Sequence, residues 1–264
     1  MYSRPNNSNI RALAKVALFC LALVIFLIVK AMDSNGPQTA SHRSSVNPIE
    51  QELQPRGSIQ RKEGIAVAVL IDSSGSMSDS VTGSGGQPTQ KMEIARRCLL
   101  ALIKQADDFA SNNDERPLLL GVYEFSSRDR GSVCRNVVPI GRPNAAAALP
   151  LVRSMFPQGN TPIGDSMITA YKDLAATGMS RLHILVITDG ENNHGYALAD
   201  VVSAISRLNE VDRPAMYFLA FDIAERLFAP LRDSGAMVLS ASNEADLHQT
   251  LNYILTGKIL AEQP

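Results

Sequence analysis

Three apolar runs constrain the fold of this chain more than any other feature of its sequence. The runs are Ile65–Ile71, Leu182–Ile187 and Ala215–Phe221, and none of them alternates regularly between apolar and polar residues. Continuous apolar runs of this length are typical of strands that are buried on both faces of a parallel sheet. We therefore expect a mostly parallel sheet that is covered by helices on both faces.

Further strand candidates and helical patterns alternate along the rest of the chain. The strand candidates are Leu118–Phe125, Cys134–Ile140, which is expected to form an edge hairpin with it, and Met237–Ser240. Apolar residues at helical spacing predict helices over residues 91–109, 163–174, 197–208, 223–232 and 244–255. This alternation predicts a doubly wound α/β fold with a six-stranded sheet.

An aspartate lies at the end of each of the first three runs, either directly after it or one residue later. These residues are Asp72, Asp189 and Asp222. In a parallel sheet the carboxyl ends of the strands meet at one edge, where open α/β sheets bind their ligands. The sequence therefore predicts a group of carboxylates at this edge. Asp222 follows a strand farther from the other two, so we expect it to support the site rather than to bind a ligand directly.

Hydroxyl side chains extend this set of oxygen atoms. Ser74 and Ser76 alternate with Asp72 in a tight turn, which Gly75 permits. Thr161 lies in a loop before a helix, where we expect it at the N-cap with its hydroxyl still able to face a metal. The alternative interpretation is that these residues form only ordinary turns and a helix cap.

An oxygen-only set of two carboxylates and three hydroxyls is typical of hard cations. We expect Mg²⁺ as the first choice, with Ca²⁺ or Mn²⁺ as alternatives. Because a neutral hydroxyl is a weak ligand, the cation keeps net positive character. An open coordination position then favours an incoming anion.

Taken in this order, the residues resemble the metal-ion-dependent adhesion site of the von Willebrand factor type A family. Asp72, Ser74 and Ser76 match its Asp-x-Ser-x-Ser element. Thr161 matches its distant threonine and Asp189 its final aspartate, so that all five positions are filled. The resemblance implies the sheet order 3-2-1-4-5-6. It also implies a protein partner that offers an Asp or Glu carboxylate to the metal.

An uncharged apolar segment, Val16–Val29, precedes the folded part. Its fourteen residues span only about 21 Å as a helix, but flanking residues and snorkelling Lys15 and Lys30 extend it to the roughly 30 Å of a bilayer core. We expect a transmembrane anchor within residues 1–32, with a cleaved signal peptide as the alternative. The flanking positive charges place the N-terminus in the cytoplasm, so we expect a single-pass inner-membrane protein whose domain lies on the periplasmic or extracellular side. The family resemblance favours a bacterial membrane-anchored protein.

The rest of the chain divides into a tether, one domain and a short tail. Residues 33–63 are rich in Ser, Asn, Gln and Pro, and they predict a flexible linker. The family resemblance covers about residues 64–255, and we expect the domain over residues 64–257 and a tail over residues 258–264. Within the domain, residues 79–90 predict a long mobile loop beside the site.

Charge and cysteine content narrow the possible partners. The formal net charge is −1 and no basic stripe is interleaved with aromatic residues, so we expect no nucleic-acid partner. The three cysteines form no CxxC motif or Cys/His cluster, which argues against a zinc site. Cys98 and Cys134 either pair in an oxidising compartment or remain as buried free thiols.

These features favour a membrane-anchored protein-binding module that depends on a divalent cation, and we predict no enzymatic activity. One alternative is a scaffold of a membrane complex, in which the metal only holds the loops. A metal-dependent hydrolase with Asp72 as nucleophile is less favoured, because the three segments that carry the candidate ligands, residues 72–76, 159–164 and 188–190, contain no His or Lys base.

Overall fold

Strands and helices alternate along the described part of the chain, which in this computed structural model comprises residues 46–54, 60–128 and 131–262. The strands are β1 (Lys62–Asp72), β2 (Ser80–Thr82), β3 (Pro88–Gln90), β4 (Leu118–Arg128), β5 (Gly131–Gly141), β6 (Met179–Thr188), β7 (Ala215–Phe221) and β8 (Met237–Ala241). The α-helices are α1 (Val46–Leu53), α2 (Lys91–Asn112), α3 (Ala145–Arg153), α4 (Ile163–Ala176), α5 (Leu198–Ser206) and α6 (Glu244–Ile254). Short 3-10 turns cover Gly75–Ser78, Glu225–Leu227 and Ala229–Ser234, and a π-helical turn follows α6 at Leu255–Ile259.

Six strands form one sheet in the order β5-β4-β1-β6-β7-β8. Numbered among themselves along the chain, these strands have the order 3-2-1-4-5-6, which confirms the expected topology. β5 runs antiparallel to β4, as the predicted hairpin requires, and the other neighbouring strands are parallel. The register of β1 and β6 places Ile71 opposite Ile187. Asp72 therefore ends beside Thr188 at the carboxyl edge of the sheet.

Apolar side chains fill both faces of the sheet. Along β1, Val67 and Val69 belong to the core under α2 and α6, and Ala66 and Ala68 belong to the core under α1, α4 and α5. Of the predicted apolar stripe of α2, Met92, Ala95, Leu99, Leu102 and Ala106 are buried, and Phe109 is half-buried against the same core. Because β1 has helices on both sides, its residues are apolar without alternation.

Helix α1 lies within the segment that the sequence predicted to be a flexible linker. Ile49 and Leu53 are 0% and 1% exposed, and both join the core beside α4 and α5. Glu52 accepts hydrogen bonds from Lys172 Nζ at 2.6 Å and from the Tyr196 hydroxyl at 3.1 Å. A helix of eight residues is marginal on its own, so this packing stabilises it and local sequence preference does not.

The predicted mobile loop of residues 79–90 contains an antiparallel hairpin of β2 and β3. The backbone N–H of Ser84 donates to Glu244 Oε2 at 2.7 Å. Arg97 donates to both oxygens of the same carboxylate at 2.8 Å. Strand pairing and the first residue of α6 therefore hold this segment beside α2.

Three helical segments differ from the sequence prediction. Residues 223–232 form two 3-10 turns, because Pro230 lacks the backbone N–H that a continuous α-helix would use. The apolar pattern does not predict α3, since alanines occupy its first four positions and leave no periodic stripe. Ile259 falls in the predicted tail, yet it is buried and packs against the core after α6.

The predicted inner-membrane location is corrected by the structure. Among residues 46–54, 60–128 and 131–262, no helix is long and apolar enough to cross a bilayer. The described residues therefore contradict the predicted single-pass inner-membrane location. Val16–Val29, on which the prediction of an anchor or signal peptide depended, lies outside the described residues.

The two described cysteines lie on opposite faces of the sheet. Cys98 belongs to the core under α2, and Cys134 packs against the core on the other face. Both thiols are free, so the alternative of a disulfide between them is wrong. Burial raises the pKa of each thiol to about 12, because desolvation disfavours the thiolate.

Candidate metal centre

Asp72 anchors the candidate site at the carboxyl end of β1. Its side chain is fully buried. Oδ1 accepts the backbone N–H of Ser74 at 2.7 Å, and Oδ2 accepts the hydroxyl of Thr188 at 2.5 Å. The first of these bonds closes the tight turn that the sequence predicts after the strand. The second fixes the carboxylate against the neighbouring strand β6.

A chain of hydroxyl contacts connects this turn to Asp189. Ser74 Oγ and Ser76 Oγ lie 3.1 Å apart, and Ser76 Oγ donates to Asp189 Oδ1 at 2.7 Å. Asp189 directly follows β6, and its side chain has no exposed surface. The structure therefore brings Asp72, Ser74, Ser76 and Asp189 together in one hydrogen-bonded network, at the place where the sequence predicts them.

Thr161 approaches the same network from the loop before α4. Pro162, not Thr161, is the N-cap residue of α4, and its side chain makes no capping hydrogen bond, so the predicted capping role of Thr161 is wrong. The backbone N–H of Thr161 instead donates to Asn193 Oδ1 at 2.8 Å. A Cβ added to Gly190 would lie 3.3 Å from Thr161 Oγ1 and 3.9 Å from Asp72 Oδ2. The two oxygens thus face the same glycine.

Gly159 determines how closely the Thr161 loop approaches β4. Its φ is +79°, and an added Cβ would lie 1.8 Å from the carbonyl oxygen of Ser127. The neighbouring Asn160 forms a bridge with Ser127, and the carbonyl of Gly159 accepts the N–H of Gly75 at 3.0 Å. This contact ties the loop of Thr161 to the turn that carries the two serines.

The loop after Asp189 is fastened to the start of α4. Asn192 Oδ1 accepts the N–H of Gly164 at 3.0 Å, and its amide donates to the carbonyl of Tyr196 at 3.0 Å. Asp165 Oδ1 accepts the N–H of Tyr196 at 2.8 Å. Asp165 lies in the first turn of α4, where a negative charge stabilises the helix dipole, and it also holds the loop.

Lys91, which the sequence pattern did not indicate, is part of the site. Its Nζ lies 3.1 Å from Asp189 Oδ2 and 2.9 Å from Asp222 Oδ2, and its side chain is 7% exposed. Asp222 thus supports the site, as expected, through an ion pair. Lys91 belongs to none of the three segments that carry the candidate ligands, yet its side chain reaches the site from the start of α2. The one available clue was a lysine opening a helix, where the dipole disfavours positive charge.

The two charged partners determine the protonation of Lys91. Burial lowers the pKa of Lys91, but its hydrogen bonds to Asp222 and Asp189 together raise the pKa by more than burial lowers it. The pKa of Lys91 therefore lies above its ordinary value. The lysine is therefore a fixed positive charge at neutral pH and not a general base.

Asp72 has a different environment, because its hydrogen-bond donors are neutral. Burial raises the pKa of Asp72 to about 7, against the hydrogen bonds from Thr188 and Ser74, and nearby Asp189 raises it further. Among the described residues, no Lys, Arg or His forms an ion pair with this carboxylate. A bound cation would relieve the cost of a buried negative charge at this position.

The donor atoms fit a hard cation and do not fit a zinc-type site. Within the described ranges, no group of three or more His, Cys, Asp and Glu side chains is arranged to hold a metal. Any cation at this edge must therefore use hydroxyl oxygens beside the carboxylates, which is a donor set that suits Mg²⁺, Ca²⁺ or Mn²⁺.

Several solved structures share this fold. The PilB minor pilin from Streptococcus sanguinis superposes with a TM-score of 0.58 at 15% identity, over 79% of this chain and 65% of that chain. The vWF domain of the type V pili tip protein Mfa5 from Porphyromonas gingivalis superposes with a TM-score of 0.57 at 9% identity, over 78% of this chain and 98% of that chain. The pilus adhesin SpaC from Lactobacillus rhamnosus GG superposes with a TM-score of 0.55 at 15% identity, over 77% of this chain and 32% of that chain.

These likenesses concern the fold alone, and this chain spans 65% of the length of the pilin. No curated protein sequence matches the chain. The sequence profile of the von Willebrand factor type A domain, however, matches residues 66–252, and the chain belongs to this family.

Proposed function

We propose that this protein is a binding module that holds a protein partner through a divalent cation. The side chains that would hold the cation are Asp72, Ser74, Ser76, Thr161 and Asp189. The observation that carries the proposal is the buried carboxylate of Asp72, whose hydrogen-bond donors are the neutral Thr188 hydroxyl and Ser74 N–H. A hard cation would supply the missing positive charge, with Mg²⁺ as the first choice and Ca²⁺ or Mn²⁺ as alternatives.

The charges around the site favour an anionic group of the partner. Ser74, Ser76 and Thr161 offer only neutral oxygens. Asp189 already interacts with Lys91, so its negative charge is partly compensated. A cation at this edge would therefore keep positive character, and an Asp or Glu carboxylate of the partner would make a charge-assisted contact with it.

The solved neighbours suggest a setting for this activity. They include a minor pilin, a pilus tip protein and a pilus adhesin. We therefore propose adhesion or assembly of a protein complex as the process in which the module acts.

Calorimetric titration of the full chain with Mg²⁺, Ca²⁺ and Mn²⁺ tests the cation. Asp72→Asn keeps the shape of the side chain and removes its charge, and we expect it to abolish binding. Asp108→Asn is the matched control, because Asp108 lies on α2 with 59% of its side chain exposed and pairs with the neighbouring Lys104. Equal binding by the wild type and Asp72→Asn would refute the metal site.

Partner capture in the presence of Mg²⁺ or a chelator separates the binding module from a scaffold with a structural metal. We expect the partner to be captured by the wild type with Mg²⁺, and to be lost with chelator and with Asp72→Asn. Capture that survives both treatments, with the fold intact, would favour the scaffold.

The predicted absence of enzymatic activity remains part of the proposal. Lys91 is the basic side chain nearest to Asp189, and its ion pairs keep it protonated, so it cannot accept a proton from water. Assays with generic phosphate and ester substrates in Mg²⁺ or Mn²⁺ should show no hydrolysis that Asp72→Asn removes.

A further inference from the structure

Lys91 occupies a position that the fold by itself disfavours. It is the first residue of α2, where the helix dipole repels a positive charge, and its side chain is almost fully buried. Its backbone N–H donates to the carbonyl of Asp79 at 2.8 Å, which fixes the start of the helix beside the serine turn. The two carboxylates at its Nζ therefore account for a lysine at this position.

The ion pair engages the carboxylate that the metal would need. Asp189 Oδ1 accepts the hydroxyl of Ser76, and Asp189 Oδ2 lies 3.1 Å from Lys91 Nζ. Both oxygens are thus in use within the protein itself. Asp72, in contrast, has only neutral donors. At the carboxyl edge of the sheet, the positive charge of Lys91 therefore lies beside Asp189 and not beside Asp72.

We propose that Lys91 is a built-in cation that competes with the divalent metal for Asp189 and so weakens metal binding. This inference rests on the proposed function. The ammonium group neutralises Asp189 when no metal is present, which keeps the metal-free domain folded. Once a cation binds beside Asp72, the two positive charges repel each other between buried carboxylates, where Coulomb interactions are stronger than in water.

Asp222 keeps the lysine at the edge of the site. Its Oδ2 lies 2.9 Å from Lys91 Nζ, and its own N–H donates to the carbonyl of Ala241 at 2.7 Å. Asp222 has a φ of 54°, a backbone conformation that is uncommon outside glycine. When a metal takes the Asp189 carboxylate, Lys91 retains Asp222 as a partner and has no need to leave the site. Lys91 is therefore a positioning residue that tunes affinity and does not itself contact the partner.

Metal titration of the full chain, as wild type, Lys91→Met and Lys91→Gln, tests the proposal. Lys91→Met removes the charge and keeps the length of the side chain. Lys91→Gln also retains a hydrogen-bond donor for the carboxylates and serves if the first variant does not fold. We expect both to bind Mg²⁺ about tenfold more tightly or better, since a like charge is removed from the site. Lys104→Met, on the exposed side of α2, is the control and should bind as the wild type does.

Thermal unfolding provides a second readout. Without metal, Lys91→Met should unfold at a lower temperature than the wild type, because Asp189 and Asp222 lose their positive partner. Saturating Mg²⁺ should then raise its unfolding temperature by more than it raises that of the wild type. If Lys91 had only a structural role, its replacement would lower the affinity for the metal.

The outcomes distinguish the two proposals. Affinity in the lysine variants that equals or falls below the wild-type value would overturn the competition by Lys91 and leave the metal site standing. Absence of metal binding in the wild type and in both variants would overturn the proposed function and this inference together.

Discussion

At the scale of the single residue, Gly159 has the most stringent conformational requirement near the site. It needs a positive φ, and a side chain would meet the Ser127 carbonyl at 1.8 Å. We expect Gly159→Ala to destabilise the protein by about 2 kcal/mol or more, because backbone strain and a clash with main-chain atoms combine. Urea denaturation measures this change in the free energy of unfolding.

Gly235→Ala is the matched control for this prediction. Gly235 has a similar φ of +83°, but no atom lies within 4 Å of an added Cβ. We expect Gly235→Ala to lower the free energy of unfolding by only about 1 kcal/mol, from the backbone conformation alone. Equal destabilisation by the two variants would show that the close approach of Gly159 to Ser127 is absent in solution.

Residues of the site differ in how far the sequence could predict them. Asp72, Ser74, Ser76, Thr161 and Asp189 follow strands or precede a helix, and their positions could be predicted from strand ends and family spacing. Lys91 could not, because its role depends on a contact between the start of α2 and the ends of β6 and β7. Such a contact between distant elements has no local pattern in the sequence.

At the scale of the element, α1 shows that a short polar-looking segment can be part of the domain. Its two buried side chains fit between α4 and α5. We expect Ile49→Ala to destabilise the protein by about 2–5 kcal/mol, as for other large-to-small changes in a core. Urea denaturation of the full chain, followed by far-ultraviolet circular dichroism, measures it.

Glu50→Ala on the same helix is the control. Glu50 has 44% of its side chain exposed and pairs with Arg207, so its loss should cost less than about 1 kcal/mol. A small effect of Ile49→Ala as well would mean that α1 does not dock on the domain.

The strands could be predicted more accurately than the helices, for a physical reason. β7 begins and ends where its apolar run does, because both of its faces are buried. The alanines of α3 leave no apolar stripe, and Pro230 interrupts the predicted helix of residues 223–232. The helical spacing of apolar residues is therefore a poor guide in both segments. Docking also decides α1, which local sequence preference would leave unfolded.

At the scale of the whole molecule, the sheet separates the two described thiols. Cys98 and Cys134 lie on opposite faces, and burial raises both pKa values to about 12, so both remain protonated at pH 8. We expect reductant to change the free energy of unfolding by less than about 0.5 kcal/mol, because no disulfide between them contributes.

Alkylation with iodoacetamide at pH 8 provides the second measurement. A Cys20→Ser variant of the full chain leaves only these two thiols. They should react slowly in the native protein and fully in guanidinium chloride, since the thiolate is the reactive form. Rapid modification of either thiol in the native protein would show that its burial is incomplete.

The central place of β1 also has a consequence for biosynthesis. Ile65 pairs with Leu118 on one side and with Arg181, about 116 positions later, on the other. At a translation rate of roughly 5–20 residues per second, the ribosome takes about 6–23 s to add the second neighbour. Throughout this interval β1, whose residues 65–71 are all apolar, has an open edge. We therefore expect the nascent chain to bind chaperones until β6 has left the ribosome.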